Sequence, residues 1–387
     1  MSVTTAAPRV TFETISSAAS FGALAEPWDA LVRAMPRPSP QLLHAWLLSW
    51  WRHYGDEGSE LAVHVAYREG KLVGALPVCV LRRRGLKVLT FLGAEQTTLA
   101  DMILEDGESN AVAAELAHRA ASTEHDLADF YGLPSSSLLT TALGSSRLQL
   151  FMRAEAPVLD LSGTDWETVY RTRLSSNQRH LHRRRSRQLA RLGQLETTVA
   201  RTREELGPAL EDAFAIHALR WLGRPDGSEF VTTRGKRFHR EATTALAALD
   251  VPRIVTLKLD GRPIAFVYYF ALEGRMYCHR LGFDPEFHRF SPGVVNRFDA
   301  LNNAFAEGAT RVEFFGGTER YKMELADRLE PLHEGLGLAG SMAGRVALAR
   351  RLNGIRLRRL LKRSPALRRF YYEGLAPARR LLRDRGG

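Results

Sequence analysis

Cysteine is nearly absent from this chain. Two residues among 387, Cys79 and Cys278, cannot build a disulfide scaffold or a four-cysteine zinc site. Such low usage fits a reducing cytosol. No apolar run approaches the ~20 residues that a membrane-spanning helix needs. The longest apolar stretches, such as Ile264 to Leu272, have the length of buried strands. The first twenty residues hold one basic side chain, Arg9, and no continuous apolar segment, so no secretory leader is expected. Acidic residues are missing where they would be most useful: none stands between Ser175 and Leu195, a segment dense in arginine.

What is present reads as globular. The hydrophobic share is 45% and the charged share 25%, which excludes wholesale disorder, a collagen-like chain and a coiled coil. The length suits two domains and a tail. The net charge is +11, and it is unevenly placed. From Arg345 to Gly387, thirteen arginines and one lysine face only Glu373 and Asp384, a surplus of twelve; the other 344 residues therefore sum to −1. The basic character belongs to a C-terminal appendage, and a nucleic-acid-binding main body is not expected.

Periodicity and turn residues outline the elements. Helices are expected over Pro27–Met35, with Trp28, Leu31 and Val32 on one face, and over Gln41–Tyr54. A hairpin follows: Leu61–Arg68, a turn at Glu69-Gly70, then Lys71–Leu81. A strand is expected over Lys87–Leu92 and a helix over Asn110–Ser122. The second half opens with a helix over Asp165–Arg173 and a long basic helix over Ser175–Leu192. A strand over Leu195–Ala200 precedes a helix from Thr202 to Gly223, where Thr202 and Glu205 have capping-box spacing. A helix over Thr233–Asp250 leads to strands over Arg253–Leu259, Arg262–Leu272 and Arg275–Phe283, joined by Asp260-Gly261 and Glu273-Gly274. A Pro292-Gly293 loop then opens a helix over Val294–Glu307, and a strand over Arg311–Phe315 runs into Gly316-Gly317.

Residues 68–78 echo residues 259–269, and the same order of elements follows each hairpin. The expectation is an α/β (α+β) chain of two related domains, mixed central sheets flanked by helices, over 1–160 and 161–336, with a basic amphipathic helical tail over 337–387. The first domain lacks the Pro-Gly loop.

Three segments carry a family resemblance: the basic helix from Ser175 to Leu189, the segment from Gly282 to Gly293, and the segment from Val312 to Lys322. In their order and spacing the chain resembles GNAT-superfamily acyltransferases, more narrowly the CelD/BcsL type related to FemAB aminoacyltransferases. The resemblance implies an acyl-CoA co-substrate, acetyl-CoA or longer, and no metal. Its phosphate-binding pattern is degenerate: Arg289, Pro292 and Gly293 remain, without the first glycine. Elementary physics supports the same place. A helix opening at Ser291-Pro292-Gly293 presents unpaired N–H groups and the positive end of its dipole, and Gly293 allows close backbone approach. The donor-binding candidates are Leu281, Gly282, Arg289, Ser291, Gly293 and Val294.

Acyl transfer needs donor and acceptor held in line, and an answer to the developing oxyanion. A histidine near neutral pH suits proton removal, which makes His279 a catalytic candidate. Strand alternation allows only one of His279 and Arg280 to face the cleft. Glu313 on the next strand is also a catalytic candidate, a general base where it faces the cleft and an exposed strand residue otherwise. The family resemblance implies that the pair Tyr321 and Lys322 holds the substrate. Acceptor-binding candidates are Arg179 and Arg183 on the basic helix, His217 and Trp221 one turn apart, and Arg280. The expected reaction moves an acyl group to an amine or hydroxyl of a sugar, amino sugar or envelope or exopolysaccharide precursor, small or lipid-linked. The alternatives are a FemAB-like transferase drawing on aminoacyl-tRNA and an inactive scaffold of a polysaccharide-synthesis complex. The tail, mixing Leu352, Ile355, Leu360, Leu367 and Phe370 with arginines, points to peripheral contact with an anionic membrane from a cytoplasmic protein.

Overall fold

The computed structural model describes residues 9–144, 147–221 and 228–363. In the first half the chain forms β1 (Val10–Ile15), α1 (Ala18–Gly22), α2 (Ala25–Arg33), α3 (His44–Tyr54), β2 (Glu60–Leu61), β3 (Val63–Arg68), β4 (Lys71–Leu76), β5 (Val78–Arg83), β6 (Leu86–Phe91) and β7 (Ile103–Leu104). It continues through α4 (Asn110–Ser122), β8 (Leu127–Pro134), α5 (Leu138–Leu143) and β9 (Leu148–Asp160). The second half holds α6 (Trp166–Arg173), α7 (Ser176–Ala190), β10 (Leu195–Ala200), α8 (Arg203–Trp221), α9 (Thr233–Ala247), β11 (Pro252–Leu259), β12 (Arg262–Leu272) and β13 (Arg275–Phe283). Then come α10 (Pro292–Ala306), β14 (Arg311–Glu313), α11 (Arg320–Met323), β15 (Arg328–Gly337) and α12 (Met342–Arg363).

Local chemistry explains many of these boundaries. Trp28, Leu31 and Val32 are the buried face of α2, as their spacing implies. The Ser175 hydroxyl accepts from Gln178 N–H while the Gln178 side chain accepts from Ser175 N–H, a capping box that starts α7. Thr202 and Glu205 do the same for α8. The two echoing hairpins turn at Glu69-Gly70 and Asp260-Gly261, where both residues have positive φ, the geometry of a tight β-hairpin. One expected strand is two. Pro77 offers no N–H, and the segment Lys71–Leu81 divides there into β4 and β5, which belong to different sheets.

A four-stranded sheet runs β1-β3-β4-β7, and an eleven-stranded sheet runs β10-β11-β12-β13-β14-β9-β15-β8-β6-β5-β2. The larger one passes through both halves because the halves exchange strands. In each half a helix joins two parallel strands: α4 joins β6 to β8, and α10 joins β13 to β14. The strand that follows β8 in sequence, β9, pairs with β14; the strand that follows β14, β15, pairs with β8. β9 and β15 then pair with each other over ten positions. Neither was legible as a strand. β15 contains Pro331, Gly335 and Gly337, all poor strand formers. Its glycines answer close approach: a Cβ on Gly337 would meet the Arg147 carbonyl oxygen at 2.1 Å.

The core lies in two layers on the faces of β12. Phe266, Tyr268 and Phe270 pack with Phe214, Phe230 and Phe238 of the α8–α9 layer. Val267 and Tyr269 pack with Phe298, Leu301 and Ala304 of α10. The proline-rich stretch before α3 docks on the second half. Tyr277 donates to the Pro38 carbonyl, Arg275 donates to the Pro36 carbonyl, and Arg37 pairs with Glu313 and Glu330. The basic C-terminal segment begins docked too. Arg351 of α12 binds Asp129 of β8, whose side chain is fully buried, and reaches Glu334 of β15 at 2.7 Å. Residues 364–387, including Leu367 and Phe370, lie outside the described residues.

Candidate active site

The parallel pairing of β13 with β14 is short. It stops at Tyr277 opposite Glu313, and β13 runs on to Phe283 with no strand among the described residues at that edge. The chain after β14 leaves through Phe315 at φ +56° and Gly317 at φ +111°. The strands therefore splay, and a cavity of about 670 Å³ occupies the gap. It touches both layers. Val267, Met276, Cys278, Leu301 and Phe314 line it on the α10 side; His217, Arg220, Trp221, His279 and Arg280 line it on the α8 side. Ser291, Gly293 and Val294 line it as well, so the start of α10 opens into the gap. Ser291 stands as helix cap in the left-handed region, and its side chain makes no capping bond. Ser291 N–H donates to the His288 carbonyl, Pro292 has no N–H, and Val294 and Val295 donate to the Ser291 carbonyl, so the Gly293 amide is the group of that first turn left for a ligand among the described residues.

One bulge arranges the centre. Tyr268 pairs with Arg280 and Tyr269 with Cys278, so His279 is the extra residue on β13. Simple alternation allowed only one of His279 and Arg280 in the cleft; the bulge re-aims the strand, and both line the cavity. The His279 ring sits among Trp46, Tyr268, Phe270 and His239, and neither ring nitrogen has a hydrogen-bond partner among the described residues. Burial, reinforced by the Arg280 charge, holds its pKa well below the usual imidazole value, so the ring is neutral. His217 is neutral as well, pushed down to about 4 by burial and by Arg280 and Arg220. Burial pushes the Cys278 thiol up to about 12, which keeps it protonated and unreactive. It also raises the Tyr321 phenol, which stays a proton donor.

The structure brings together His279, Tyr321, Lys322, Leu281, Ser291, Gly293, Val294, His217, Trp221 and Arg280. It does not bring in the other five candidates. Glu313 is 1% exposed, and its carboxylate pairs with Arg37 at 2.8 Å and Arg311 at 2.7 Å, outside the cavity lining. Gly282 packs under Phe266, where a Cβ would meet the ring at 2.6 Å. Arg289 is exposed on the turn before α10. Arg179 donates to the Arg171 and Leu174 carbonyls, closing the end of α6. Arg183 is exposed on α7, away from the cavity lining. Lys322 lines the wall with its charge already engaged: Nζ donates to the Gly316 carbonyl at 3.0 Å and pairs with Glu319 at 2.9 Å. It fixes the turn after β14.

Arg297, Arg220, Cys278 and Thr98 also line the cavity and were missed. Arg297 is 6% exposed, and its Nη1 donates to the Tyr321 carbonyl at 3.0 Å. Its position one turn into α10, after Pro292-Gly293, was the available signal. Thr98 comes from a first-half loop that no local pattern links to the site. Among the described residues, no group of three or more His, Cys, Asp or Glu side chains is placed to hold a metal.

Residues 176–323, under half of the chain, match a family described as an acetyltransferase (GNAT) domain. No curated protein matches the chain in sequence. Among solved structures, FemX superposes with a TM-score of 0.55 at 12% identity, covering 84% of this chain and 96% of its own. The C-terminal domain (DUF2156) of a candidate lysylphosphatidylglycerol synthetase from Agrobacterium fabrum gives 0.54 at 13% identity, covering 86% and 95%. A conserved protein of unknown function from Bacteroides thetaiotaomicron gives 0.53 at 13%, covering 85% and 100%. At such identities these likenesses establish the fold.

Proposed function

We propose, starting from the match of residues 176–323 to a GNAT acetyltransferase domain, that the chain transfers an acyl group from acyl-CoA to an amine or hydroxyl of a sugar, amino sugar or envelope-polymer precursor. The observation that carries this reading is the cavity in the splayed gap, with the start of α10 at its wall. The diphosphate of the donor suits the unbonded Gly293 amide and the positive end of the helix, with Arg297 one turn further on. The thioester then lies against β13 beyond Tyr277, where the strand edge is unpaired. The attacking amine or hydroxyl bonds to the carbonyl carbon, the carbonyl oxygen becomes an oxyanion, and the carbon–sulfur bond breaks; the proton that the nucleophile loses ends on the departing thiolate, relayed by the Tyr321 hydroxyl beside the neutral His279 ring. A protonated Cys278 argues for direct attack and against an acyl-cysteine intermediate.

Calorimetry with acetyl-CoA and release of free coenzyme A test the reading. Micromolar binding and acceptor-dependent release are expected. Stabilisation by aminoacyl-tRNA with no response to acetyl-CoA would replace the donor; the exposed arginines of α7 are what would favour that outcome. Met342, Val346 and Leu357 are exposed on α12 among arginines, which supports peripheral contact with anionic membranes. Vesicles containing phosphatidylglycerol should retain the full chain, and neutral vesicles should not.

A further inference from the structure

The α8 end of the cavity carries positive charge that no acidic side chain among the described residues answers. Arg280 lines the wall there, and Arg220 stands at the mouth beside Trp221. Neither has an acidic partner among the described residues. Arg280 makes one hydrogen bond, from Nη1 to the His279 carbonyl at 3.0 Å, and its other N–H groups meet no acceptor among the described residues. The groups that feel its charge are His217, His239, His279, Tyr268 and Tyr54, and none is an acid. Among the described residues Glu319 is the one carboxylate in the cavity wall, and Lys322 already holds it.

A guanidinium withdrawn from bulk water without a counter-charge is costly, and a second one nearby adds repulsion. Such an arrangement is tolerable where a ligand completes it. The fork of N–H donors matches a carboxylate or a phosphate, two bonds at a time. His217 and Trp221 stack at 5.7 Å with planes 15° apart, giving a flat wall beside the charges. Arg280 and Arg297 also serve opposite ends: Arg297 interacts with Tyr321, Cys278 and Glu324 on the α10 side. The cavity thus has two separate places for negative charge, one at the start of α10 and one at α8.

We infer that the acyl acceptor carries an anionic group, a carboxylate or a phosphate, which Arg280 and Arg220 hold at the α8 end of the cavity. The inference deepens the proposed acyl transfer and rests on it for the identity of the ligand as acceptor. It places the nucleophile beside His279, next to the gap.

The test is titration of the full chain with inorganic phosphate and with succinate, each with and without saturating acetyl-CoA. One anion site should persist when acetyl-CoA is bound. Arg280→Gln should weaken it tenfold or more, Arg280→Lys should recover part of the affinity, and Gly293→Glu should leave it unchanged. The stronger of the two probes tells phosphate from carboxylate. Anion binding that acetyl-CoA displaces, and that Arg280→Gln does not weaken, would overturn the inference and leave the donor reading standing. An Arg280-dependent anion site in a chain that ignores acetyl-CoA would support the anion site and sink the donor. No binding of either anion would also overturn it.

Discussion

The two halves use the same sequence of elements and treat the space between their parallel strands differently. In the first half β6 pairs with β8 at only two positions, Val88–Leu127 and Leu89–Ala128, but beyond them Phe91 and Phe130 meet at 4.9 Å and fill the space with rings. In the second half the counterparts β13 and β14 part after three residues, and the gap stays open. The helix starts differ in step. α10 opens directly from a short turn with Pro292-Gly293 against the cavity, while α4 opens at exposed Asn110 after a longer connection that includes β7. One copy of the unit thus serves as support, and the other keeps a site.

The largest expected effect separates the two helix starts. Gly293→Glu puts a carboxylate where a diphosphate should sit, and its Cβ would already touch the Phe283 ring at 3.0 Å. Acetyl-CoA binding should vanish by calorimetry, while Asn110→Glu should leave it intact. Equal behaviour of the two variants would erase the distinction between the halves. Next comes the packed gap. Phe130→Ala removes a fully buried ring and should cost about 3–5 kcal/mol in denaturant unfolding. A loss below 1 kcal/mol would mean that the first half is not the rigid partner.

Acid should weaken both halves. Burial pushes His64 in the first half, and His182 and His217 in the second, down to about 4. The unfolded chain titrates near 6.5 and so binds more protons between pH 6.5 and 4; stability therefore falls as pH drops through that window. The expected loss is on the order of 2–3 kcal/mol per histidine by its lower end. Unfolding curves at pH 7, 5.5 and 4.5 check this, and His64→Gln should flatten the slope. The smallest effect belongs to α7. Arg183→Gln should shift stability by less than ~0.5 kcal/mol and leave acetyl-CoA binding unchanged, because the side chain is exposed and outside the cavity.

Parts of the site were legible because short-range chemistry marks them. Pro292-Gly293 announces a helix start, and the Asp260-Gly261 and Glu273-Gly274 turns set β11 to β13 in sequence order. Glu313 misled for a physical reason. Alternation on a strand leaves two faces, and only long-range contacts choose; here Arg37, over two hundred residues away in sequence, claims the carboxylate. Arg179 and Arg183 misled because an unpartnered basic helix signals an anion without saying where the helix packs.

Amino-acid order alone determined the hairpins, the caps of α7 and α8, the repeated unit and the helix opening at Gly293, since each depends on neighbours within a few residues. Tertiary structure alone decided that β9 and β15 trade places between the halves, that a bulge turns both His279 and Arg280 toward the cavity, and that Arg280 meets no acid among the described residues. Those outcomes depend on which strands pair and which side chains then collide. Pairing between segments far apart in sequence is fixed by the whole core at once, and no local pattern records it.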